Sequence, residues 1–143
     1  MIYLGVDPGK SGSIVAIHEA GTIQFVGNDT PEHEIARWLA DVACEPLYCF
    51  AVLEKVSSSP QQGVRSAFTF GQSYGFLRGL LVTLAVPFET VTPQRWQRTL
   101  GCLSKGDKNV TKARAQELAP HFRFTHRTAD AFLLAEYGRR LRG

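Results

Sequence analysis

The sequence predicts an α/β fold built on one five-stranded mixed sheet, three antiparallel strands followed by two parallel ones, with helices on both faces. Three observations lead to this prediction. The chain opens with three short runs rich in β-branched residues and separated by turn residues, as in consecutive antiparallel strands. Seven apolar residues in a row over 47–53 indicate a strand buried on both faces. Helical and strand-like segments then alternate, which is typical of helices packed on a sheet.

Local signals set the predicted bounds of each element. The first strand ends in a turn at Asp7-Pro8-Gly9. Pro31 is expected to open a helix with Thr30 as its N-cap, and the polar stretch over 57–60 predicts a loop. The predicted strands cover 2–6, 13–18, 22–26, 47–53 and 87–91, and the predicted helices begin at 31 and cover 65–84, 93–100, 110–118 and 128–141.

Composition is that of an ordinary globular protein, with 44% hydrophobic and 20% charged residues among 143. This length suits one domain spanning 1–143. Asp7 interrupts the only early apolar run, so no signal peptide is expected, and the apolar run over 80–86 is too short to cross a bilayer. Three cysteines without metal-ligand spacing favour a reducing compartment. We therefore expect a cytoplasmic protein with no membrane partner and no organic cofactor.

Charge is distributed unevenly along the chain. Residues 1–62 carry three Lys and Arg against eight Asp and Glu, a formal charge of −5, whereas residues 63–143 carry thirteen against five, a formal charge of +8. A basic face near an acidic site is typical of proteins that bind phosphates. A solvated basic surface without a ligand is the alternative interpretation of the same pattern.

Three carboxylates lie where burial is expected. Asp7 ends an apolar strand, Glu54 ends the most apolar strand of the chain, and Asp130 lies on the last helix. A buried carboxylate is costly unless it is paired or binds a cation. Each one has an ordinary explanation when taken alone: a turn cap for Asp7, an ion pair with Lys55 for Glu54, and a helix N-terminal acid for Asp130. Together, at one end of the sheet, they predict a divalent metal site.

Oxygen ligands favour Mg²⁺ or Mn²⁺. Two such ions, roughly 3.5–4 Å apart, would clamp the attacking and leaving oxygens of a phosphodiester. His126 lies four residues before Asp130, which places both on one helix face if the helix extends that far. We expect His126 to be a fourth ligand or to position the nucleophilic water, and a polar residue at the helix N-terminus is the alternative.

Several motifs resemble those of the RuvC-type Holliday junction resolvases, a family with the RNase H-like fold. Residues 2–9 (IYLGVDPG) with 11–13 (SGS) are similar to the first strand of that family, and residues 52–54 (VLE) to the strand with its second ligand. Gly71, Gly75 and Gly79 are similar to its glycine-bearing helix, and residues 91–96, 105–112 and 128–135 to its later segments. The resemblance covers nearly the whole chain, in order, and is closest to the phage and chloroplast branch.

The resemblance implies a metal-dependent endonuclease whose catalytic and metal-binding residues are Asp7, Glu54, His126 and Asp130. It also implies a homodimer that cuts opposing strands of a four-way DNA junction and leaves 5′-phosphates. Many bacterial members have a second aspartate where this chain has Arg127, so the identity of the fourth ligand stays open. A bacterial or bacteriophage-infected cell is the expected setting, with an organelle as the alternative.

Basic and aromatic residues supply the predicted DNA-binding surface. An exposed aromatic at the start of the second helix would stack on a base at the junction centre, and Phe68 is the candidate, whereas Phe70 and Tyr74 are expected in the core. The three glycines of that helix indicate close packing against the sheet or near a dimer interface. The remaining predicted DNA contacts are basic residues near the metal site or around a Gly-Asp-Lys-Asn loop: Lys10, Arg65, Lys105, Lys108, Lys112 and Arg114.

Three other functions compete with a junction resolvase. Gly5-Val-Asp7-x-Gly9 before a hairpin also resembles the first phosphate loop of actin-type ATP-binding proteins, but these need two such domains. A DNA-binding module without catalysis is disfavoured by the presence of all three carboxylates. A nuclease of the same fold that acts on flaps, other branched DNA or RNA–DNA hybrids is separated from a resolvase only by the motif resemblance.

Overall fold

The computed structural model describes residues 1–56 and 61–143, so the loop predicted over 57–60 lies outside the described residues. Its five strands form one sheet in the order β3-β2-β1-β4-β5. The strands β1, β2 and β3 are antiparallel neighbours, and β1-β4 and β4-β5 pair in parallel. The strands are β1 (Ile2–Val6), β2 (Ser13–Ile17), β3 (Ile23–Gly27), β4 (Cys49–Glu54) and β5 (Phe88–Val91), and the helices are α1 (Glu32–Val42), α2 (Val64–Thr83), α3 (Pro93–Thr99), α4 (Lys108–Leu118) and α5 (His126–Arg142).

Helices cover both faces of the sheet, as the sequence predicts. One core lies under α1 and α2 and includes Leu4, Val6 and Leu53, together with Leu39 and Leu77 from the two helices. The other core lies under α3, α4 and α5, where Val15, Phe50 and Val52 of the sheet meet the helices. Successive side chains of a strand point to opposite faces, so each strand contributes to both cores. None of the helices within the described ranges is long and apolar enough to cross a membrane.

The register of β1 on β4 places two carboxylates side by side. Val6 pairs with Leu53 in a parallel ladder, so Asp7 and Glu54 are the next residues along each strand. Gly5 and Val52 lie on the sheet face that α5 covers. Since side chains alternate along a strand, Asp7 and Glu54 belong to that same face.

A glycine allows α5 to approach the sheet closely. A Cβ atom at Gly5 would overlap the backbone carbonyl of Ala131 and lie 2.5 Å from the backbone nitrogen of Ala135. Glycine is therefore required at position 5, because any larger residue would push α5 away from β1. This close contact brings Asp130, the residue before Ala131, to the end of β1 where Asp7 lies.

Several local expectations differ from the structure. The strand predicted over 47–53 begins two residues later, because Pro46–Tyr48 forms a short 3₁₀ turn. Thr30 does not cap α1, whose N-cap is Pro31 without a side-chain bond. In α2, a Cβ atom at Gly71, Gly75 or Gly79 would meet nothing within 4 Å. Of the two predicted alternatives for this glycine stripe, packing against the sheet is therefore wrong, because the stripe faces outward, and a place near a dimer interface stays a prediction.

Candidate active site

Asp7, Glu54 and Asp130 come from three elements and meet at one end of the sheet. Asp7 follows β1, Glu54 ends β4 and Asp130 lies in the first turns of α5. Asp7 is 8% exposed, and the Asp130 side chain is 13% exposed. The structure thus brings together the three carboxylates that the sequence predicts to share a site.

Burial and mutual repulsion raise the pKa values of Asp7 and Glu54. Burial, above all, raises the pKa of the Asp7 carboxyl well above its ordinary value, and the charges of Glu54 and Asp130 raise it further. Burial likewise raises the pKa of Glu54 to about 7, with a further contribution from the charge of Asp130. The Lys108 ammonium opposes the shift at both sites. Such shifts arise where like charges are crowded in a poorly solvated place, which is the electrostatic condition that a bound cation would relieve.

Fixed hydrogen bonds orient two of the carboxylate positions. The Trp96 indole N–H donates to Glu54 Oε2 at 2.7 Å, which holds one carboxylate oxygen in place. Asn28 Nδ2 donates to the carbonyl oxygens of Asp7 and Gly9, both at 2.7 Å. The Gly9 amide donates to Ser73 Oγ at 3.1 Å. The turn after β1 is therefore held from both sides, by β3 and by α2, and Asp7 has a defined backbone position.

A lysine ammonium already lies beside the acids. Lys108 Nζ is 3.5 Å from Asp130 Oδ2 and acts electrostatically on Asp7 and Glu54. Within residues 1–56 and 61–143, no three His, Cys, Asp or Glu side chains are close enough together to form a ready metal-binding group. Asp7, Glu54 and Asp130 are thus electrostatic neighbours at one end of the sheet.

Two open cavities meet at Glu54. One, of about 550 Å³, is lined by Asp7, Glu54, Lys10 and Lys108 among others. The other, of about 480 Å³, is lined by Glu54, Asp130, Lys105 and Lys108 among others. Acidic groups therefore lie between two cavities with basic rims, an arrangement suited to a polyanion that crosses the carboxylates. Of the predicted DNA contacts, Lys10, Lys105 and Lys108 lie at these rims.

His126 and Arg127, the first two residues of α5, lie in different environments. His126 is the first residue of α5, is exposed, and lines neither cavity. The structure does not bring it to the carboxylates, and its role as a ligand stays a prediction. Arg127 donates to the carbonyl oxygens of Lys10 and Gly12 and pairs with Asp29 at 3.2 Å. It therefore braces the turn after β1.

The remaining predicted DNA contacts lie in different environments. Arg65 and Phe68 are exposed at the start of α2; Phe68 is 68% exposed and lines neither cavity. Lys112 is half-buried on α4. Arg114 donates to the Leu100 carbonyl at 2.8 Å and pairs with Glu117. These bonds use Nε and Nη1 of the guanidinium, and a phosphate contact by Arg114 stays a prediction.

Sequence reasoning missed several side chains that shape the site. Phe70, expected in the core, is half-buried against Gly9 and lines the cavity that contains Asp7. Nothing in the sequence indicated that Trp96 or Asn28 would form hydrogen bonds at the site, although Trp96 lies in one of the segments with a motif resemblance. Hydrogen bonds that join residues 21 and 42 positions apart leave no periodic pattern, and they follow only from the assembled fold.

Comparisons with known proteins place this fold. No protein-family model matches the chain, and no curated protein matches it in sequence. Solved structures do resemble it, among them two structures of RuvC. The fold of the chain is therefore that of RuvC, an RNase H-like mixed sheet with helices, which confirms the predicted fold class.

The two structures match over almost their whole length. T. thermophilus RuvC in complex with Holliday junction substrate superposes with a TM-score of 0.65 and 16% identity, covering 99% of this chain and 96% of that chain. The structure of Thermus thermophilus RuvC superposes with a TM-score of 0.60 and 18% identity, over the same shares of the two chains. The suspected resemblance is thus confirmed at the level of the fold.

Removing the Glu54 charge should stabilise the metal-free protein at alkaline pH. An acid whose pKa is raised by folding costs no stability below its ordinary pKa of 4.5 and a growing amount as the pH rises through about 7. At pH 8 in EDTA, Glu54→Gln should unfold at a higher temperature than wild type, by about 5 °C, or roughly 2 kcal/mol. The glutamine retains an acceptor for Trp96, and the difference should vanish at pH 4.

Thermal unfolding with added Mn²⁺ tests the same carboxylate as a ligand. Mn²⁺ should stabilise the wild type at pH 8 and should stabilise Glu54→Gln much less. Glu89→Gln, on the exposed neighbouring strand β5, is the matched control and should behave as wild type. Equal unfolding temperatures for wild type and Glu54→Gln at pH 8 would contradict the crowded acidic site.

Proposed function

We propose that this protein is a metal-dependent DNA endonuclease that resolves four-way junctions. The observation that carries the proposal is the set of three carboxylates at one sheet end, between two cavities with basic rims, where the pKa values of Asp7 and Glu54 are raised. The fold supports it, because one structure with this fold is RuvC with a Holliday junction substrate. Phosphodiester hydrolysis is the chemistry that an acidic cluster beside a polyanion-binding surface best serves.

The residues fit Mg²⁺ or Mn²⁺. The candidate ligands Asp7, Glu54 and Asp130 offer only oxygen atoms, which suit hard divalent cations. We infer that a bound cation would draw these carboxylates together and take the place of the Lys108 ammonium beside Asp130. When bound, such ions would activate water and stabilise charge on the reacting phosphate. Two ions per site is our expectation.

Side chains of this protein position the other participants. Trp96 fixes one oxygen of Glu54, a residue that lines both cavities. Lys10 and Lys108 line the cavity next to Asp7, where their ammonium groups would bind phosphates that flank the cut. Arg127 and Asn28 hold the turn that carries Asp7, which keeps the carboxylate in place when DNA binds.

A cleavage assay separates a resolvase from the other nucleases that this fold allows. The substrates are a synthetic four-way junction, linear duplex, a flap and an RNA–DNA hybrid, each with and without Mg²⁺ or Mn²⁺. We expect paired nicks at symmetric positions of the junction, 5′-phosphate ends, and no cutting without metal. Preferred cutting of the flap or the hybrid would assign the protein to another nuclease class.

The same assay tests the carboxylates. Asp7→Asn should reduce junction cleavage by at least a thousandfold, because a candidate metal ligand is lost, while junction binding persists. Asp41→Asn, the same change at an exposed residue of α1, should cut as the wild type does. Normal cleavage by Asp7→Asn would remove Asp7 from the active site.

Symmetric cutting requires two active sites, which a two-fold homodimer provides. We propose that the outward face of α2 forms the dimer interface. Apolar side chains are exposed along this face: Val64 is 89%, Phe68 is 68% and Val82 is 61% exposed. They lie on one helix stripe with Gly71, Gly75 and Gly79, where a Cβ atom would meet open space. A second helix can therefore approach the α2 backbone closely, and apolar groups at both ends would be covered.

Val82→Glu should shift the protein from dimer to monomer, because the charge would be buried in the interface. Light scattering coupled to size-exclusion chromatography measures this directly. Leu47→Glu places the same charge at another exposed apolar residue, 83% exposed and outside α2, and should leave the dimer intact. If Val82→Glu remains a dimer, the interface lies elsewhere.

A further inference from the structure

The cavity on the Asp130 side of the acids has a wall that the proposed chemistry does not use. Its volume of about 480 Å³ lies in the range of small-molecule binding sites, and it is large enough for a nucleotide. Glu54 and Asp130 form one side, and Gln97 and Arg98 of α3 line it together with Ser104 and Lys105. A DNA strand held at the carboxylates would place a neighbouring nucleotide here.

The side-chain amide of Gln97 has one defined orientation. Its Oε1 accepts two hydrogen bonds from Ser104, from the backbone amide and from the hydroxyl, both at 3.1 Å. Only an oxygen can accept both, so the assignment of oxygen and nitrogen follows from the network. Nε2 is then the free end, and in the described residues it has no hydrogen-bond partner. Gln97 thus offers two N–H donors to the cavity.

The turn that holds Gln97 is itself rigidly built. Ser104 Oγ donates to Gln97, so its lone pairs accept the Gly106 amide at 3.3 Å. Lys105 and Gly106 both have left-handed backbone conformations, with φ of 51° and 91°, a pair that closes a tight turn. A defined hydrogen-bond network therefore holds the Gln97 donors in one orientation.

Three groups of this wall can only donate. Gln97 Nε2, the Arg98 guanidinium and the Lys105 ammonium have no acceptor atoms, whereas Gln94 and Thr111, which also line the cavity, can accept as well. A base edge with acceptor atoms, such as guanine O6 and N7 or thymine O4, would satisfy the donors. An amino group of adenine or cytosine in the same place would leave donors facing each other, which is costly when water is excluded.

We propose that Gln97 is a specificity-determining residue that recognises, through Nε2, an acceptor on a base next to the cleaved phosphodiester. This inference rests on the proposed nuclease function and adds a sequence preference to it. Gln97 touches the substrate in this account and takes no part in bond cleavage.

Replacing Gln97 by glutamate, which has the same shape, changes the Nε2 donor to an acceptor and preserves the turn. In Gln97→Glu, one carboxylate oxygen still accepts both bonds from Ser104, while the other replaces the donor by an acceptor. The unfolding temperature should stay within about 2 °C of wild type, since a preserved network costs little. Gln94→Glu adds the same charge to the same cavity wall without any bond to Ser104, and it is the matched control.

The assay maps nicks on a set of four-way junctions that vary the bases on each side of the cut. Wild type should prefer, by about tenfold or more, a base with an acceptor edge at one position. Gln97→Glu should move that preference towards bases with an amino group, and Gln94→Glu should keep the wild-type order.

Four results would overturn the inference. Three of them leave the nuclease function standing. The first two are an unchanged base preference in Gln97→Glu and an equal change of preference in Gln94→Glu. The third is a loss of cleavage in Gln97→Glu that is the same for all bases, because a phosphate contact acts alike on every sequence. If the wild type nicks none of the junctions, the proposed function is overturned as well.

Discussion

Crowding of negative charge at one buried place is the constraint on which the rest of this structure depends. Asp7 and Glu54 lie beside each other at the ends of two parallel strands, and Asp130 faces them from α5. Folding raises the pKa values of Asp7 and Glu54, so the arrangement costs stability at neutral and alkaline pH. Such a loss of stability is typical of functional sites, and a divalent cation bound between the carboxylates would compensate their mutual repulsion.

Close backbone packing sets the place of this charge. Gly5 and Gly138 let α5 lie directly on β1 and β4, since a Cβ at Gly138 would come within 2.8 Å of Val52 Cγ2. The parallel register fixes the two strand ends, and Arg127 and Asn28 fix the following turn. Small residues in the sheet–helix contact thus determine which acids can act together.

Much of the fold and the acid cluster could be predicted from the sequence. Apolar runs and turn residues located the strands, and their order placed Asp7 and Glu54, which end neighbouring strands, at one end of the sheet. The sequence could not show the bonds from Trp96 to Glu54 or from Arg127 to Lys10, because their partners lie 42 and 117 residues apart. Helical spacing also favoured His126 as a neighbour of Asp130, yet His126 begins the helix and is exposed. Spacing alone likewise could not decide whether the glycines of α2 face the sheet or solvent.

Anomalous diffraction from crystals grown with Mn²⁺ at pH 8 shows whether the three carboxylates bind a divalent cation. We predict Mn²⁺ peaks bounded by the carboxylates of Asp7, Glu54 and Asp130, with the Lys108 ammonium moved away from Asp130. Crystals in which saturating Mn²⁺ leaves these three side chains without a peak, or binds only elsewhere, would contradict it.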